Sequence, residues 1–367
     1  MQQQIVVLGN PENRRVTMFQ EAAKKLGVAC EIYAYQDLLQ HKITVEEIVH
    51  SEGVLRIESP GENAIVREAL IQKGNTANKV LQNFPLEHGQ IAHNKLWYKG
   101  FSALLQELND ANLNLKTLNS PKAIQLMFHK LKCQQLLQKN NIEIPLLLGK
   151  IDNYEHLQEI LKQYQYHQVF IKPFHNSSAS GVLAFRQVKH QLSLTTSVEL
   201  IYEKQNIKLY NSLKVRKYRD AQSIKDIINT LCKDGMYAER WIPKANTQEG
   251  IFDLRILVIN GQARHTVIRQ SQHPITNLHL GNQRGDLNKI KTILGTEKWQ
   301  KIQELAVQAV QTLPPTTYAG VDLLVSNSWK KFYILEINAF GDLLPNLLHQ
   351  NETTYEAVLS GAVVLGS

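Results

Sequence analysis

The chain has 367 residues, which at roughly 100–200 residues per domain predicts two or three domains. A hydrophobic fraction of 43% with 20% charged residues supplies a core and excludes an intrinsically disordered chain. Lys and Arg outnumber Asp and Glu by 41 to 33, giving a formal charge of +8 that reads either as a solubilising basic surface or as attraction for anions. The basic cluster over 204–219 follows no nucleic-acid motif, so no nucleic-acid partner is expected. Cys30, Cys133 and Cys232 are scattered and form no CxxC, which reads as reduced thiols in a cytoplasmic protein. No run approaches the ~18 apolar residues of a membrane span. The first nine residues read as a strand rather than a signal peptide.

In chain order, residues 4–8 read as a buried strand. Residues 12–27 read as a helix, with Phe19, Ala22, Ala23 and Leu26 on one face and Gly27 as its stop. A second strand covers 29–35, and this βαβ opening predicts a small parallel α/β domain over 1–75. Its first turn lacks a GxGxxG, so no dinucleotide site is assigned there. Residues 76–118 read as an insert or linker with a helical, aromatic segment at 101–108. Ser120 and Pro121 mark a helix start, with the helix running to about 139. A strand after Pro145, a helix near 153–164 and a strand over 168–173 follow. Asn260-Gly261 joins 253–259 to 262–270 as a hairpin. A helix over about 297–312 leads to a second hairpin, 318–325 and 331–339, turning at 327–329.

Three groups of residues carry chemistry. Glu336 and Asn338, two apart on a strand, point to one face. A three-residue loop places Asp322 opposite Ile334, on the face of Glu336 and one diagonal step away; a two-residue loop flips it. Two carboxylates and an amide among apolar neighbours are costly to bury unpaired, and a hard divalent cation resolves that cost. A satisfied polar network at a sheet edge is the other reading. Second, Lys172 leaves its strand into a run of small hydroxylic residues over 173–181, a pattern suited to phosphate. Third, Asp253, Arg255 and Arg269 are charges set among apolar residues. A clean two-residue turn pairs Ile259 with Gln262, which puts Asp253 and Arg255 on one face and Arg269 on the other. One site for all three requires a bulge or a strand-end twist; a cross-strand salt bridge is the simpler alternative.

In this order, the segments resemble the ATP-grasp superfamily over about residues 119–350, closest to the branch of ribosomal-protein glutamate ligases and bacterial glutathione synthetase. The stretch from His129 and Lys130 to Ile144-Pro145 resembles the first lysine helix, and Phe170-Ile171-Lys172-Pro173 the second lysine strand. Tyr237-Ala238-Glu239-Arg240-Trp241-Ile242 resembles the adenine hinge. Asp253-Leu254-Arg255 resembles a D-x-R strand, and Thr276-Asn277-Leu278-His279 an S-N-L-H segment. Ala319-Gly320-Val321-Asp322 and Leu335-Glu336-Ile337-Asn338-Ala339 resemble the metal-binding strands.

The resemblance implies an α/β (α+β) architecture: an ATP-grasp fold whose two α+β subdomains grip ATP, preceded by a small Rossmann-like pre-ATP-grasp domain. Residues 119–190 would form the first subdomain and 191–367 the second, with the metal site. The implied cofactors are ATP and Mg²⁺, with Mn²⁺ as an alternative. Lys130, Lys172 and Ser178 would hold phosphates; Glu239, Arg240 and Trp241 would meet adenine. Asp253 would lie near ribose and Asn277 near the γ-phosphate. Arg269 and Arg255 would be catalytic, and Asp322, Glu336 and Asn338 would bind metal. The implied activity is carboxylate–amine ligation through an acyl phosphate, with small-molecule or peptide substrates. Arg56, Glu58, Arg67, Trp97 and Tyr98 are candidate substrate contacts. Serine and alanine replace most glycines of the usual phosphate loop, and Ile275 stands where an arginine is usual. Those departures keep two alternatives open: a nucleotide-binding regulatory or scaffold protein, and a phosphotransferase. A homo-oligomer is compatible with the sequence.

Overall fold

The structure is a computed structural model that describes residues 4–49, 53–81, 84–111, 116–176, 179–204, 206–341 and 344–366. Three sheets carry it. The first is four-stranded and parallel, in the order Ala29–Ala34, Gln4–Gly9, Val54–Ile57, Lys116–Thr117. Its central strand is the apolar run Ile5, Val6, Val7 and Leu8, each wholly buried, as a parallel strand covered on both faces must be. Helix Arg14–Lys25 follows, its first turn capped by the Asn13 side chain, which accepts from the Arg15 amide. Gly27 takes a φ of 69°, as the expected stop requires.

The segment expected as an insert instead completes this first unit. Helix Asn94–Asp110 packs on helix Ala64–Gly74, and Lys116–Thr117 is the fourth strand. The two helices approach so closely that a Cβ on Gly74 would lie 1.9 Å from the Leu96 carbonyl oxygen. A Cβ on Gly100 would meet the Leu70 oxygen at the same 1.9 Å. Two glycines facing one another are therefore what permits this packing. The N-terminus of helix Asn94–Asp110 borrows its cap from another sheet: Asp234 accepts from the Asn94 amide at 3.0 Å.

The helix begun at Ser120 and Pro121 is two helices, Pro121–Phe128 and Lys130–Lys139. His129 breaks it with ψ 83° and caps the second piece, accepting from the Lys132 amide. The second sheet is antiparallel, in the order Leu147–Ile151, Met236–Arg240, Gln168–Pro173, Leu183–Val188, Gln191–Glu203, Asn206–Tyr218. Helices Tyr154–Tyr164 and Ala221–Cys232 cover one face with buried Leu157, Ile160, Ile224 and Ile228.

The third sheet runs Gln283–Gly285, Gln262–Ser271, Gly250–Ile259, Tyr318–Val325, Phe332–Asn338. Helix Leu287–Gln311 packs against it and starts ten residues before the expected 297, because Asp286 caps an earlier turn and Gly295, at φ 75° and ψ 165°, interrupts the periodicity. Helix Thr354–Gly366 returns to lie against helix Arg14–Lys25.

The candidate substrate contacts of the N-terminal unit are mostly structural. Arg56 and Glu58 are wholly buried and paired at 2.6 Å. The Arg56 guanidinium lies over Phe19 at 4.3 Å, Tyr318 at 4.8 Å and Tyr355 at 5.4 Å. Neither residue can reach a substrate; the two expected contacts are instead a buried ion pair whose guanidinium is walled by aromatic rings. Arg67 donates to the Gln90 carbonyl at 2.8 Å. Trp97 packs between Phe101 and Phe128, and Tyr98 stacks on His175 with ring centroids 3.8 Å apart. Among the described residues, no helix is long and apolar enough to cross a membrane.

Candidate active site

Two register shifts assemble the site. In the hairpin Gly250–Ile259 and Gln262–Ser271, Ile259 pairs with Gln262 as a two-residue turn dictates. A bulge between Ile256 and Val258 then inserts one residue, and beyond it Asp253 pairs with Arg269. The bulge turns Arg269 onto the face of Asp253 and Arg255, which a clean register forbids. In the hairpin Tyr318–Val325 and Phe332–Asn338, Val325 pairs with Phe332. That register alone would set Asp322 on the wrong face. A second irregularity, between Asp322 and Leu323, corrects it, so Asp322 pairs with Glu336 and Gly320 with Asn338. The expected partner of Asp322, Ile334, pairs with Leu323 instead. Face sharing survives, and the separation shrinks from a diagonal step to a direct cross-strand pair.

These strands and the second sheet enclose a cleft. Lys172, Glu239, Arg240, Asp253, Arg255, Arg269, Asn277, Asp322, Glu336 and Asn338 all line it. Lys130 joins through its ion pair with Glu336. Its backbone amide donates to the Phe174 carbonyl at 2.9 Å, which ties the first lysine helix to the strand carrying Lys172. Trp241, expected at adenine, is outside the lining and packs on Phe170 at 5.0 Å. Phe170 takes its place in the cleft, with Pro145, Ile242 and Leu335 giving that end an apolar wall. Ser178 lies outside the described residues.

Every carboxylate in the cleft faces a cation. Glu239 pairs with Lys172 at 2.6 Å; burial pushes its carboxyl up, and Lys172 opposes that. Asp253 accepts from Arg269 at 2.8 Å on one oxygen, and from Lys244 at 2.9 Å and Thr276 on the other. Asp322 is gripped by Arg255 and by Arg269, the latter at 3.1 Å. Burial would raise the Asp322 carboxyl, but the two guanidiniums outweigh it and hold the acid down to about 2. Arg269 therefore bridges two carboxylates, and both keep it charged despite burial.

Sequence reasoning missed Lys244 and Pro274. Lys244 lies in an irregular stretch after the hinge strand and belongs to no motif, so a lone lysine there carried no signal. The residues present suit a hard divalent ion: two carboxylates and an amide, all oxygen donors on one face. Asn338 Nδ2 donates to the Gly320 carbonyl at 3.3 Å, which orients the amide with its oxygen as the end able to ligate. Among the described residues, no group of three His, Cys, Asp or Glu side chains is placed to hold a metal.

A cleft between two α+β layers, gripped by lysines from one and carboxylates from the other, is the architecture of ATP-grasp proteins. Residues 121–359 match the YheC/D-like ATP-grasp family, and the chain belongs to it. No curated protein matches. The ATP-grasp ligase PsnB, complexed with a phosphomimetic variant of its minimal precursor, Mg and ADP, is 13% identical with a TM-score of 0.58 over 100% of both chains. The macrocyclase MdnC, bound with precursor peptide MdnA from Microcystis aeruginosa MRC, is 13% identical with a TM-score of 0.55 over 99% of this chain and 100% of its own. D-cycloserine synthetase DcsG is 12% identical with a TM-score of 0.58 over 98% of each chain. Similarity at these identities is a similarity of fold.

Proposed function

We propose that this protein is an ATP-dependent carboxylate–amine ligase, forming an amide or peptide bond and releasing ADP and phosphate. The observation that carries the reading is the direct pairing of Asp322 with Glu336, Asn338 on the same face, in a cleft that also holds Lys172, Arg255 and Arg269. Mg²⁺-ATP would supply the phosphoryl group there, with the metal screening its charge.

The chain's own residues would do the rest by position and charge. Lys130 and Lys172 hold the triphosphate, and the apolar wall around Phe170 and Ile242 receives adenine. Asp322, Glu336 and Asn338 would hold the metal. Arg269, aimed by Asp253, steadies charge as an oxygen of the substrate carboxylate bonds to the γ-phosphorus and the bond to ADP breaks. Amine nitrogen then attacks the acyl carbon, phosphate departs with its oxygen, and the amine loses a proton. The cytoplasm is the compartment proposed. Small-molecule or peptide substrates are both accommodated; PsnB and MdnC are structures with precursor peptides, whereas DcsG makes a small molecule.

The test is ADP and phosphate release measured against panels of carboxylates and amines, with mass spectrometry for condensation with loss of water. Turnover that requires both substrates supports ligation. Turnover with a hydroxyl acceptor alone, giving a stable phosphate ester, would establish a phosphotransferase.

A further inference from the structure

Six cations gather around the cleft, and five of them, Lys130, Lys172, Arg240, Arg255 and Arg269, lie in segments recognised from the sequence. The sixth, Lys244, belongs to none of those segments. It is buried, its side chain 7% exposed, yet its ammonium lies in the cleft lining. It donates to Asp253 at 2.9 Å and is held by Thr276. Thr276 in turn donates to the same Asp253 oxygen. The three groups join the stretch after the hinge strand, the Gly250–Ile259 strand and the loop that presents Ile275 and Asn277 to the cleft.

The lining residues differ in character. The adenine end is walled by Pro145, Phe170 and Ile242. Lys244 meets the cleft at Asp253, which it shares with Arg269, and Arg269 and Lys172 are close enough to act on its charge. Burial, then those two like charges, push the Lys244 ammonium down, against the pull of Asp253. Three mutually repelling cations aimed at one volume are favourable when that volume receives a polyanion.

Resting on the nucleotide-site reading above, we propose that Lys244 is a phosphate-binding residue of this cleft, contributing affinity for the triphosphate and none for the nucleoside. Its contact with Thr276 adds to the hydrogen bond by which Thr276 itself ties the Ile275–Asn277 loop to Asp253.

The experiment is calorimetric titration of the full chain with Mg²⁺ and a non-hydrolysable ATP analogue, and separately with adenosine. Lys244→Met should weaken the analogue about tenfold or more, as loss of a charge-assisted contact does, and leave adenosine unchanged. Lys244→Arg should recover most of the loss. Asp253 keeps Arg269 and Thr276 in the Met variant, so a folded protein is expected, and circular dichroism melting checks it. Equal affinity of wild type and Lys244→Met for the analogue would overturn the proposal, as would a parallel loss of adenosine binding. Failure of the wild type to bind the analogue would instead overturn the nucleotide reading itself.

Discussion

Asp253 and Arg269 face one another because their hairpin holds one residue more on one strand than on the other. The bulge between Ile256 and Val258 turns a cross-strand mismatch into a charged pair at 2.8 Å, and Arg269 continues to Asp322 at 3.1 Å. Arg269→Met leaves Asp253 with Lys244 and Thr276, and Asp322 with Arg255, so the fold should survive. ADP release should fall by about 100-fold or more in turnover number, the scale of losing one preorganised donor at developing charge. Steady-state kinetics on a folded variant checks this; unchanged turnover removes Arg269 from the chemistry.

The carboxylates opposite one another give a second test. Asp322→Ala with Glu336→Ala should abolish metal-dependent turnover, and a chelator should do the same to the wild type. Mn²⁺ should restore chelated protein, since oxygen ligands accept either ion. Retained biological effect in the double variant would favour the scaffold reading.

Acid should loosen the junction of helix Asn94–Asp110 with the Lys172 strand. His175 stacks on Tyr98, meets His129 at 4.6 Å and lies under the charges of Lys132 and Lys130. Burial first, then His129 and the lysines, hold its imidazole down to about 3, so the folded protein keeps it neutral. An unfolded chain protonates it near ~6.5, so stability is full above that value and is lost as pH falls from there towards about 3. The loss at pH 5 is roughly 1–2 kcal/mol from this residue. His175→Phe keeps a ring on Tyr98 and should flatten the melting-temperature profile between pH 7.5 and 5; an unaltered slope would show that His175 does not titrate with unfolding.

Arg56 and Glu58 form a pair with both side chains at 0% exposure. Removing one partner leaves an uncompensated buried charge, a loss of about 3–5 kcal/mol, whereas apolar replacement of both costs less. Urea unfolding of Arg56→Met, Glu58→Leu and the double variant should therefore show the double above either single. Additive losses would contradict the coupling.

Much of the fold is legible because its signals are local. Asn260-Gly261 marks its turn, Ser120 and Pro121 mark their helix start, and apolar runs mark the strands. What escapes is whatever depends on a distant partner. Neither bulge leaves a mark in a period-two pattern, so the faces of Arg269 and Asp322 could be posed only as alternatives. The start of helix Asn94–Asp110 was obscured because its cap is Asp234, 140 residues away. His129 reads as one more helical residue until its capping role is seen. Arg56 and Glu58 look like surface charges because their aromatic surroundings come from three separated segments.

Those surroundings also join distant parts of the chain. Phe19, Tyr318 and Tyr355 come from an early helix, a late strand and the last helix, and Phe19 meets Tyr355 edge-on at 5.9 Å. The first sheet, nearly contiguous in the chain, thus cannot seal its own interior when its strands leave the ribosome. A nascent chain halted before residue 355 would carry a guanidinium with one wall missing, so this interior cannot be completed until the last helix is made.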